Sequence, residues 1–102
     1  MNLLYRAILD DSADDVKHAI DAGAKPNDKE FYRSGEKLRP LGWAILFAKS
    51  KAAEALLEYG ARTESLGKHK KLNADLFKPI EYALSMGDIK TSLALLKHTK
   101  DK

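Results

Sequence analysis

The sequence predicts an all-α fold in which three pairs of short helices stack side by side. Three observations carry this expectation. Features of the first unit return 37 positions later, and those of the second return 39 positions after that. Within each unit, apolar residues recur at helical spacing and form a stripe along one side. The chain has only 102 residues, enough for one hydrophobic core, so the units share that core as a single domain, 1–102. The units span about 1–27, 38–64 and 77–102. Hydrophobic residues make up 44% and charged residues 32%, a balance that sets a globular chain apart from a disordered one.

The repeat is visible residue by residue. Ala7-Ile8 and Ala19-Ile20-Asp21-Ala22-Gly23-Ala24 align with Ala44-Ile45 and Leu56-Leu57-Glu58-Tyr59-Gly60-Ala61 at a shift of 37. Pro40-Leu41-Gly42-Trp43-Ala44-Ile45 aligns with Pro79-Ile80-Glu81-Tyr82-Ala83-Leu84 at a shift of 39, and Leu56-Leu57 with Leu95-Leu96 at the same shift. In the first unit Ser12 and Asp15 form a start resembling a capping box. Val16, Ala19 and Ile20 make the stripe, and Gly23 ends the helix. In the middle unit Pro40 suits the first helical turn, where its missing N–H costs nothing, and that helix runs to about Ala48. A second helix is expected from an N-cap near Ser50, with Ala53, Leu56 and Leu57 on its stripe and Gly60 as its stop. The third unit opens at Pro79, breaks at Gly87-Asp88, and is expected to bury Ile89, Leu93 and Leu96. Helices this short are marginal alone. The small residue fixed in every first helix (Ala7, Ala44, Ala83) allows close approach of neighbours, so stacking is the expected source of stability.

This pattern resembles the ankyrin repeat. The family's Thr-Pro-Leu-His-x-Ala signature stands here as Asn2-Leu3-Leu4-Tyr5-Arg6-Ala7, Arg39-Pro40-Leu41-Gly42-Trp43-Ala44 and Lys78-Pro79-Ile80-Glu81-Tyr82-Ala83. The endings around Gly23-Ala24 and Gly60-Ala61 match the family's Leu-Leu-x-x-Gly-Ala. The Thr and His of the signature are absent in all three copies, and the third unit ends in Thr99-Lys100 in place of Gly-Ala. The resemblance implies an ankyrin-type α-solenoid of three helix-turn-helix repeats, six helices in all, with hairpin or loop fingers between repeats. The shifts of 37 and 39 exceed the family's repeat of about 33, so the connections 25–39 and 62–78 are long. Long connections in compact domains are often functional. Gly35 and Gly67 suit tight turns within them.

In such proteins the fingers and first helices line a concave side that binds partners. That implication, together with residue type, selects the candidate contacts. The first finger offers Phe31, Tyr32 and Arg33, types that dominate interface energetics, with the alternative that Phe31 folds back over the helices. The second offers a basic cluster of Lys68, Lys70 and Lys71, with a solvated charge run as its alternative. The ends of the first helices offer Leu46, Phe47 and Met86 as an exposed apolar patch, with core packing of Leu46 as the alternative. Trp43 and Tyr82 share a register position read as packing between repeats.

Little chemistry is on offer. The absence of cysteine excludes disulfides, thiolate metal sites and a cysteine nucleophile. His18, His69 and His98 share no metal-ligand spacing, and no phosphate loop or nucleophile elbow occurs, so no enzyme, metal or cofactor is expected. Asp14 and Asp15 fit a helix N-terminus. The apolar start is interrupted by Arg6 and ended by Asp10, unlike a signal peptide, and the longest uncharged apolar stretch, Leu41 to Ala48, is far short of the ~20 residues of a membrane span. A cytoplasmic location is therefore expected, with no membrane partner.

The net charge of +3 is mild and uneven. Residues 1–30 carry four basic and seven acidic side chains (net −3), whereas residues 62–102 carry nine and five (net +4). The expected function is a protein–protein interaction module for a folded partner, in a chain that is monomeric or weakly self-associating. An inhibitor, immunity or antitoxin-type protein is an alternative. Weak nucleic-acid binding through the basic second finger is another, disfavoured because the acidic first unit breaks any continuous basic face.

Overall fold

The computed structural model describes residues 3–27, 32–33, 36–63, 66, 68–69, 74–75 and 79–99. Among them are six helices: α1 (Leu3–Leu9), α2 (Ala13–Asp21), α3 (Pro40–Leu46), α4 (Ser50–Glu58), α5 (Pro79–Met86) and α6 (Ile89–Thr99). The all-α expectation holds, with two small antiparallel hairpins between units. One pairs β1 (Tyr32–Arg33) with β2 (Glu36–Lys37), and the other pairs β3 (Lys68–His69) with β4 (Ala74–Asp75). In the second hairpin the register of His69 opposite Ala74 puts the chain reversal past Gly67, not at it.

Each unit is a pair of helices in contact, and neighbouring pairs pack in two rows. In one row α1 touches α3 and α3 touches α5; in the other α2 touches α4 and α4 touches α6. The core lies between the rows. It includes Leu4, Ile8 and Val16 from the first unit, Leu41, Trp43, Ile45 and Leu56 from the middle, and Ala83 and Leu95 from the third. Ala7, Ala44 and Ala83 are all buried, as close helix approach requires. Burying a Leu or Val fully contributes about 1.5–3 kcal/mol. These helices of 7–11 residues therefore depend on this shared core far more than on their own propensity.

The repeat register fixes the backbone with more detail than the apolar pattern does. The turn inside each pair uses a left-handed residue at one register position: Asp11 (φ 52°), Ala48 (φ 57°) and Gly87 (φ 78°). Next comes the N-cap of the second helix, at Ser12, Lys49 and Asp88. In each unit the N–H three residues further on is satisfied. The Asp15 N–H donates to Ser12 Oγ (3.1 Å) and the Thr91 N–H to Asp88 Oδ1 (3.2 Å). Lys49 offers no acceptor, and there the Ala52 N–H donates to Asp11 Oδ1 of the preceding unit (3.0 Å). The expected N-cap near Ser50 is thus corrected: Ser50 is the first helical residue, and a borrowed carboxylate caps α4. Gly23 (φ 114°) and Gly60 (φ 97°) close their helices at left-handed positions, as expected.

The third stripe is a second correction. Ile89, Leu93 and Leu96 are 59%, 61% and 53% exposed, and the buried face of α6 is Thr91, Ser92 and Leu95. The reason is register. Thr91, Ser92 and Leu95 stand where the middle unit has Ala52, Ala53 and Leu56, all buried there. Hydrophobicity pointed to the wrong side of this helix because its outward side is also apolar.

Candidate functional site

The fingers rise from a fixed root. Asn27 holds the ends of both connections. Its side-chain N–H donates to the Gly60 carbonyl (3.0 Å), its Oδ1 accepts from the Arg62 N–H (2.7 Å), and its carbonyl accepts from Arg39 Nη1 (2.8 Å). The Arg39 N–H donates to the Leu66 carbonyl (3.1 Å), and Leu38 and Leu66 bury their side chains beneath the hairpins. Above this root β2 lies beside β3, and β4 packs against α5. The two hairpins therefore stand next to each other, the second against α5.

The C-terminal ends of those helices carry exposed apolar residues: Leu9 on α1, Phe47 after α3 and Met86 on α5, each between 36% and 39% exposed. Phe47 and Met86 share one register position. Phe47 is held in place from below. Its ring stacks on Trp43 with centroids 5.5 Å apart and planes at 24°, and Trp43 meets Tyr5 edge-on at 5.8 Å and 88°. The buried Trp43 thus links the core of the first unit to a surface ring in the middle one. Such aromatic pairs contribute about 0.5–1.5 kcal/mol beyond area burial. They also hold Phe47 in one orientation, so ordering it against a partner carries a small entropic cost.

The candidate residues divide clearly. Phe47 and Met86 are exposed, as expected. Leu46 is 5% exposed and belongs to the core, so it offers no surface contact; the apolar surface residue of that pair is Phe47 alone. Tyr32 and Arg33 form β1, opposite Lys37 and Glu36, and Lys68 sits on β3 opposite Asp75. Phe31, Lys70 and Lys71 lie outside the described residues. Trp43 packs inside as the register suggested. Leu9, exposed at the end of α1, was legible as the register partner of Leu46, while Asp10 takes the register position of Phe47 and Met86. Asn27 was not singled out, because an asparagine before a long connection reads simply as a turn residue.

Lys17 and Asp21 form an exposed i, i+4 pair at 3.2 Å on α2, away from the hairpins, and the Asp21 carboxylate raises the Lys17 ammonium pKa above its ordinary value. Among the described residues no helix is long and apolar enough to cross a membrane, and no three His, Asp or Glu side chains gather as a metal site would need. Compared with known protein families and with curated proteins, the chain matches none.

Proposed function

We propose that this is an ankyrin-type protein, three repeats in a short solenoid, which acts in the cytoplasm by binding a folded protein through its hairpins and first-helix ends. One observation carries the reading: Phe47 is exposed at the end of a first helix while its ring is braced on the buried Trp43. Rigid aromatic anchors surrounded by adaptable polar groups are what interface hot spots look like. Leu9 and Met86 are exposed at the ends of the other first helices, and Tyr32, Arg33 and Lys68 stand on the hairpin strands. In this reading apolar contact at the centre supplies affinity, and the charges around it set orientation and association rate.

The test is affinity capture from the native cell with the wild type and a Phe47→Asp, Tyr32→Ala double variant, followed by titration of the retained protein. A hot-spot loss of 2 kcal/mol corresponds to a weakening of about 30-fold. The variant must keep its helical circular dichroism. Equal retention by wild type and folded variant refutes the chosen surface. Retention of nucleic acid with a steep inverse dependence on salt would replace it with the basic-finger reading.

A further inference from the structure

The two ends of the stack are built differently. At the α5/α6 end, Leu84, Ile89, Leu93 and Leu96 are each more than half exposed. Leu84 and Leu96 occupy the register positions of Ile45 and Leu57, which are 0% and 4% exposed in the middle unit because the third unit covers them. Ile89 and Leu93 go further, replacing Ser50 and Glu54 with apolar residues. In stacked repeats positions of this kind are interior where a neighbouring repeat covers them.

At the α1/α2 end there is a groove of about 360 Å³ between the two helices. Leu3, Ala7, Ala19 and Ala22 make its apolar lining, and Arg6, Asp10, Asp15 and His18 its polar one.

We propose that this protein self-associates head to tail, the α5/α6 end of one copy docking on the α1/α2 end of the next. Charge selects this occupant. Between the middle and third units, Lys51, Glu54 and Glu58 of α4 flank Lys90, Leu93, Ala94, Lys97 and His98 of α6. Repeating that relationship once more, by the register shifts of 37 and 39, sets Lys90 and Lys97 of one copy against Asp14 and Asp21 of the next. Leu93 takes the place of Glu54 and meets α2 near His18 and Lys17, the latter already paired with Asp21. A two-fold dimer through the apolar end would instead bring Lys90 and Lys97 of both copies around the same stripe, like charge against like. Head-to-tail contact does not close on itself, so association is open-ended and rises with concentration. None of the residues it uses is among those of the proposed partner surface.

The experiment is sedimentation equilibrium across a concentration series with two capped variants. Leu84→Asp blocks the apolar end, and Ala22→Arg blocks the groove; both residues are exposed, so folding is retained and circular dichroism checks it. Wild type is expected to grow past the dimer as concentration rises, while each variant alone stays monomeric. A mixture of the two variants is expected to form one-to-one dimers and nothing larger, through the intact groove of the first and the intact apolar end of the second. A wild type that remains monomeric up to millimolar concentration overturns the proposal. So does an Ala22→Arg variant that still dimerises, which would mean a two-fold contact, and so does a mixture that stays monomeric.

Discussion

Replacing Asn27 with alanine removes the two side-chain bonds that tie the first connection to the second. Those bonds run to the Gly60 carbonyl at 3.0 Å and from the Arg62 N–H at 2.7 Å. A net intramolecular hydrogen bond contributes about 0.5–1.5 kcal/mol, and both bonds lie at an exposed site, so water replaces part of what is lost. The expected destabilisation is about 1–2 kcal/mol, which for a domain of this size lowers the melting midpoint by roughly 5–12 °C. The assay is thermal unfolding by circular dichroism, paired with amide hydrogen exchange at Arg62. Its N–H should lose protection in the variant while the Ala52 N–H, bonded to Asp11, keeps its own. Exposed Lys25 provides the control, since Lys25→Ala should move the midpoint by no more than about 0.5 kcal/mol equivalent. If Asn27→Ala melts with the wild type, or Arg62 exchanges equally in both, the root of the fingers is not what holds them, and the case for a pre-positioned binding surface falls with it.

Two further changes probe the register. Ala48 holds φ at 57°, a conformation that costs an L-residue about 1–2 kcal/mol, while its register partner in the third unit is Gly87. Ala48→Gly should therefore stabilise the protein by about 0.5–1 kcal/mol despite the entropy of glycine, raising the chemical denaturation midpoint at constant slope; a lower midpoint refutes the strain. Asp11→Ala should cost about 1 kcal/mol or more by uncapping α4, while Asp11→Asn, which keeps an acceptor and tolerates left-handed backbone, should recover most of it in the same assay.

Much of this architecture was legible in the sequence. Pro40 and Pro79 do begin α3 and α5, Gly60 does close α4, and the stripe of Ala53, Leu56 and Leu57 is buried. These succeed because backbone restriction and helical spacing are local properties. The failures share one cause: residue type was read without its place in the repeat. Ser50 looked like a cap, yet aligning Ser12 with the middle unit points to position 49, where Lys49 cannot accept and Asp11 acts across the joint. Ile89, Leu93 and Leu96 looked like core, yet the alignment already placed Thr91, Ser92 and Leu95 inside. The borrowed cap and the Asn27 ties span 33 to 41 residues of sequence, and no local pattern announces bonds of that reach.

The asymmetric placement of these ties also governs how damage spreads. The first pair leans on the second through α1 with α3 and α2 with α4, and the third leans on the second through α3 with α5 and α4 with α6. Trp43, the Asp11 crosslink to α4 and the Gly60 anchor all converge on that middle pair. It is the keystone of the molecule: a lesion there loosens both flanks at once, whereas an outer pair can fray and re-form while the rest stands.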